Sequence, residues 1–284
     1  MIRASRRLFL GLSAVLLSAR GTMSQTQPDK TLWFRMMIGA ADVAHPVKPG
    51  PGAVLARWPA LPELIGLGSG WTVTEDYVMP PNGQGFARHY AATHGRETIR
   101  VEVFSSGNGF PGSVDRLVQI ATTTMRAMPP YEKAPDALRL GEVAVVSVDP
   151  EYRTLIWTFH GLCLSVESTS GGEATMGPAR RLLDYLTRHL TDEAAVAKER
   201  PRLSLPAGEL TVAMGGTFRI TPAEATTGLT LAVYPSTQAV AVLTARPDLL
   251  EFRAVARGRT TISVVLADPV TLLCNAGQVV VVSH

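Results

Sequence analysis

The sequence predicts an α+β domain, an antiparallel sheet with two packed helices, followed by an all-β sandwich. Three observations carry that expectation. The run "ETIRVEVF" alternates, with Ile99, Val101 and Val103 on one side and Arg100 and Glu102 on the other, as a strand does when one face of its sheet is dry and the other wet. Two stretches with helical stripes interrupt the strand-like runs between Trp71 and Leu190. From Leu203 onward helical periodicity is absent, and short apolar runs recur between turn signals, the spacing of a two-sheet structure.

The chain opens "MIRASRRLFLGLSAVLLSAR". Arg3, Arg6 and Arg7 precede an apolar run from Leu8 to Ala19 that is too short to cross a bilayer and has the length of a signal peptide. Small residues at Ala19 and Gly21, or at Thr22 and Ser24, suit a signal peptidase and place cleavage at Arg20–Gly21, with the leader over 1–21. Arg6 and Arg7 followed by Phe9 and Leu10 resemble the twin-arginine export signal of bacteria, although Gly11 stands where that family often has lysine. The resemblance implies a cargo that crosses already folded, in the periplasm or cell envelope of a bacterium. The mature chain has no predicted transmembrane segment.

The formal net charge of +3 invites a nucleic-acid partner. The leader, however, carries four arginines (Arg3, Arg6, Arg7, Arg20) and no acid, so its removal takes the charge from +3 to −1. A near-neutral chain without a basic cluster interleaved with aromatics has no footprint for a phosphate backbone. With 284 residues and 46% hydrophobic side chains, there is enough material for two modest cores.

Residues 22–54 read as a tether. "HPVKPGPG" refuses helix and sheet alike, while "TLWFRMMIG" is an apolar run without a placement. The α+β domain is expected over 55–191. Its strands are "WTVTEDYVM", "FARHYAAT", "ETIRVEVF", "EVAVVSV", "RTLIWTF" and "GLCLSVES". Its first helix is "SVDRLVQIATTTMRAM", capped by Ser113, with Val114, Leu117, Val118, Ala121, Met125 and Met128 in one stripe. The second is "GPARRLLDYLTRHL", with Pro178 in its first turn and Leu182, Leu183, Leu186 and Leu190 inward. The alanine-rich, charged stretch 192–202 is expected to be a helical linker.

Residues 203–284 read as the sandwich. Val212, Gly216, Thr217, Phe218 and Ile220, then Gly258, Thr260, Thr261, Ile262 and Val264, and the closing "GQVVVVS" resemble bacterial Ig-like domains of adhesins and envelope machinery. "VYPSTQAVAVL" replaces that family's central tryptophan and Ser-Ser-Asp turn. The resemblance implies a spacer or docking module with no catalytic residue.

The motifs that resemble chemical sites are incomplete. "GNGFPG" places Gly107, Gly109 and Gly112 as G-x-G-x-x-G between strand and helix. Its strand is amphipathic, Pro111 removes one N–H, and no acid stands at the next strand end, so the sequence predicts a plain turn. His89 and His94 flank an expected hairpin and His160 sits at another turn, without the spacing of a metal site. "GLGSG" puts Leu67 where a nucleophile elbow needs glycine before Ser69. Trp157 and Phe159 share one strand face and read as core. Cys163 and Cys274 each lie in an apolar run; an oxidising compartment permits a bridge between them, and two buried thiols are the blander reading.

No catalytic, cofactor-binding or metal residue is therefore assigned. The expected function is an exported envelope protein acting as a binding or assembly module, its partner another envelope protein or a small ligand. The alternative is an exported hydrolase or cofactor-binding enzyme with its site in the α+β domain. Ultraviolet–visible absorption and metal content of the purified protein separate the two.

Overall fold

A computed structural model of the chain describes residues 34–35, 37–38, 53–55, 57–79, 85–107, 109–123, 131–148, 153–192, 201–222 and 228–284. Residues Thr31–His284 form one compact unit; Met1–Lys30, with the export residues Arg6, Arg7, Phe9 and Leu10, lie outside the described residues, as does most of the expected linker 192–202.

β1 (Ala53–Val54) and a short helix, α1 (Leu61–Ile65), open the described chain. β2 (Thr72–Met79), β3 (Gly85–His94) and β4 (Glu97–Ser106) form a meander, followed by α2 (Phe110–Thr123). β5 (Tyr131–Lys133), β6 (Val143–Ser147), β7 (Thr154–Phe159) and β8 (Leu162–Ser168) lead to α3 (Glu173–His189). β9 (Thr191–Asp192) then returns to pair with β1. β2 to β8 build one antiparallel sheet in the order β2-β3-β4-β8-β7-β6-β5.

β10 (Glu209–Val212), β11 (Thr217–Ile220), β12 (Thr230–Pro235), β13 (Val240–Arg246), β14 (Leu249–Ala254), β15 (Gly258–Ala267) and β16 (Cys274–Ser283) complete the chain. They form a four-stranded sheet, β10-β16-β15-β12, in which β10 runs parallel to β16, and a three-stranded sheet, β11-β14-β13. Ile220, Leu250 and Phe252 of the smaller sheet share a core with Ile262, Val264, Val279 and Val281 of the larger.

The expected fold class, an α+β domain with two packed helices ahead of an Ig-like sandwich, is corrected. The described chain is mostly β: besides the two-residue pair β1–β9 it has 14 strands in three sheets, with three short helices, and one seven-stranded sheet is its frame. The helical stripes lie in α2 and α3, but they do not set the fold class, because β-branched runs such as "EVAVVSV" and "LCLSV" all join a single sheet that outweighs the helices.

The one-sided sheet is corrected as well. Val101, Val103, Leu164, Val166 and Trp157 are buried on one face under Ala179, Leu182 and Leu186 of α3 and Leu61 and Leu64 of α1. On the other face Phe104, Cys163, Ile156 and Val145 are buried under Val114, Leu117, Val118 and Ala121 of α2. Alternation in β4 holds from Ile99 to Val103 and stops at Phe104, where α2 begins to cover the second face. Phe34 and Ile38, within the stretch read as tether, are buried beside α2, and Arg35 pairs with Asp115.

The helix starts differ from expectation. α2 begins at Phe110, so Ser113 is not its cap: its hydroxyl donates to the Gly161 carbonyl and ties the helix to the β7–β8 turn. α3 begins at Glu173 after Gly171 and Gly172, leaving Pro178 buried inside the helix and not in its first turn.

The C-terminal sheets are fastened to the seven-stranded one. Phe86 of β3 shares a core with Val265, Ala267 and Cys274, and Leu272 enters the main core. Trp58 is 2% exposed; its backbone N–H donates to the Val270 carbonyl at 3.2 Å and its indole to that of Thr271 at 3.1 Å. Neither cysteine is in a disulfide. Cys163 faces α2, whereas Cys274 lies across the sheet beside Phe86, its thiol 3.3 Å from the Ser105 carbonyl. A bridge between them would have to pass through the sheet.

The glycine motif belongs to this junction. A Cβ on Gly107 would stand 2.5 Å from the Ala276 nitrogen of β16, and Gly109 holds φ 64°. Gly107 is needed because backbone meets backbone there, and Gly109 because its backbone is left-handed. Gly107→Ala should therefore destabilise the chain by about 1–3 kcal/mol, read as a lowered denaturant midpoint.

Candidate functional site

A concavity with both charged and apolar lining lies between the segment before α1 and the last turns of α3. Leu61, Leu64 and Ile65 turn inward, which leaves Glu63 outward. Gly66 ends the helix in the left-handed region (φ 61°), and Arg181 of α3 donates to the Ile65 carbonyl. Leu182 and Leu186 anchor α3 on the sheet, so Tyr185 and His189, one turn apart, face the cleft with ring centroids 4.4 Å apart. The Tyr185 hydroxyl donates to Glu63 Oε1 at 3.3 Å.

The opposite wall is the segment 57–60. Trp58 holds it to the C-terminal turn, and the Tyr90 hydroxyl donates to the Pro59 carbonyl at 2.8 Å. The cleft has a volume of about 530 Å³ and is lined by Leu55, Arg57, Pro59, Ala60, Glu63, Tyr185 and His189. That is the size of a small-molecule site. Burial, and then the Glu63 carboxylate beside it, push the Tyr185 phenol up from its usual range, so it stays a hydrogen-bond donor.

A second polar group stands on the sheet face that α2 leaves partly open. Arg116 of α2 donates to Glu102 of β4 from Nη2 at 2.7 Å and from Nε at 3.1 Å, and its guanidinium lies 5.6 Å from the Phe104 ring centroid. His89 Nδ1 is 3.4 Å from the other carboxylate oxygen, and Tyr77 stacks on the imidazole at 5.2 Å. Glu102 is thus an orienting carboxylate already neutralised by an arginine. His89 Nε2 is buried and makes no hydrogen bond among the described residues. Through Tyr77 on His89, His89 on Glu102 and Glu102 on Arg116, the group ties together β2, β3, β4 and α2.

The other sequence candidates are dispersed. His89 sits mid-strand in β3 and not beside a hairpin turn, His94 ends that strand against Trp71, and His160 occupies the β7–β8 turn at φ 50°. No three of the described histidine, cysteine, aspartate and glutamate residues are grouped to hold a metal ion. Ser69 lies in the exposed turn before β2. Trp157 is fully buried and Phe159 packs on the same core. Burial pushes the Cys163 thiol up, far from the thiolate that a nucleophile requires.

The sequence reading missed Arg57, Glu63, Tyr185 and His189. The i, i+4 spacing of Tyr185 and His189 was the available signal, but nothing in the sequence joined them to a glutamate 122 positions away. No family model matches this chain, and no curated protein and no solved structure matches it either.

Burial above all lowers the His89 pKa below its ordinary 6.5; Glu102 and Glu75 oppose the shift and Arg116 adds to it. The unfolded chain therefore takes up a proton near pH 6.5 that the folded chain resists. The stability His89 contributes is present above that pH and is lost as pH falls through it. Wild type should lose stability as pH falls below about 7, and His89→Gln should flatten that slope, measured by denaturant midpoints at successive pH values.

Proposed function

We propose that this chain is an exported cell-envelope protein of a bacterium that works as a binding or assembly module rather than as a catalyst. The leader pattern around Arg6 and Arg7 supports export in the folded state. The cleft between α1 and α3 carries the binding reading. Its walls are held from behind by Trp58, Tyr90 and Arg181, so a ligand or an envelope partner would meet a preformed surface and little ordering cost. The closed environment of His89 and the buried thiol of Cys163 favour recognition over chemistry.

No helix among the described residues is long and apolar enough to cross a membrane. The near-neutral charge without the leader argues against a nucleic-acid partner.

A fragment library titrated into the chain and followed by NMR tests this. Saturable shifts at Ala60, Tyr185 and His189 are expected, weakened about tenfold or more by Tyr185→Ala. Saturation only at sites remote from these residues, or none at all, would overturn the proposal.

A further inference from the structure

The cleft holds two opposite charges that have not collapsed onto each other. Arg57 and Glu63 both line it, yet they form no ion pair with one another, and neither has another charged partner among the described residues. Within the cleft Glu63 has one oxygen engaged by the Tyr185 hydroxyl, while its other oxygen makes no hydrogen bond among the described residues. The same cleft is lined by the Tyr185–His189 ring pair and by Leu55, Pro59 and Ala60.

A ligand carrying only a positive charge would leave Arg57 facing it, and one carrying only a negative charge would meet Glu63. A ligand with both, separated by a short apolar body, satisfies each wall.

Resting on the binding reading of this same cleft, we propose that its ligand class is a small zwitterion, a free amino acid or short peptide with unblocked ends. Glu63 receives the ammonium, Arg57 the carboxylate as a two-pronged donor, and the Tyr185–His189 rings the side chain.

Calorimetric titration of the full chain with glycyl-phenylalanine, its N-acetyl derivative and its C-terminal amide tests this. The free dipeptide should bind, and each blocked form should bind about tenfold more weakly, the loss expected for one charge-assisted contact. Glu63→Gln should weaken the dipeptide and the amide while leaving the N-acetyl derivative unchanged. Arg57→Gln should weaken the dipeptide and the N-acetyl derivative while leaving the amide unchanged. Both side chains are exposed, and unaltered melting curves confirm that the variants fold.

Equal binding of all three probes, or sensitivity to only one blocked end, overturns the zwitterion. If no probe binds while the fragment titration saturates Tyr185 and His189, the ligand class fails and the binding module stands. If neither binds, both fail.

Discussion

Burial of both faces of the central strands of a seven-stranded antiparallel sheet is the constraint on which the rest of this structure depends. Such sheets commonly leave one face to water, but here Val101, Leu164 and Trp157 look one way while Phe104, Cys163 and Ile156 look the other. Each buried side chain of that size contributes on the order of 1.5–3 kcal/mol only if water is kept off it. Three short helices among the described residues are too few to cover so much sheet. Leu55 and Trp58 ahead of α1, Phe34 and Ile38 beside α2, and Leu272 from the C-terminal turn complete the cover.

That shortage of helix explains the close union between the two halves. Phe86 is buried against Val265, Ala267 and Cys274, and Gly107 is small because β16 passes directly over it. Trp58 then ties the entry segment to the turn before β16 through two hydrogen bonds. The cleft arises where this borrowed cover meets α3. Its shape follows from groups facing the core, while Arg57, Glu63, Tyr185 and His189 face outward and are left for recognition. The His89–Glu102–Arg116 group plays the complementary part on the other face, where polar side chains seal the margin that α2 does not reach.

Much of the strand pattern was legible locally. Runs such as "TLIWTF" and "GLCLSVES" are strands because β-branched and aromatic residues fit a pleated surface. The stripes of Leu117 and Val118, and of Leu182 and Leu186, mark α2 and α3 because 3.6-residue spacing gathers them on one face. The balance between strand and helix was misjudged, since periodicity reports which face of an element is dry and not how many strands share a sheet. Alternation in "ETIRVEVF" was real, but Glu102 is kept from water by Arg116 and His89, which no pattern of apolar residues reveals. The candidate site was hidden for a similar reason: Glu63 and Tyr185 meet only because Leu64 and Leu186 pack into one core.

The sequence by itself determined the local conformations: where strands run, where helical stripes lie, which turns need glycine, and that no motif completes a catalytic set. These follow from sterics and from the partition of side chains between water and oil over a few residues. Tertiary structure alone decided that the central strands are buried on both faces, that Cys163 and Cys274 lie on opposite sides of the sheet, and that Arg57, Glu63, Tyr185 and His189 share one cleft. Such pairings depend on which distant apolar surfaces find each other, and that selection is made by the whole core at once.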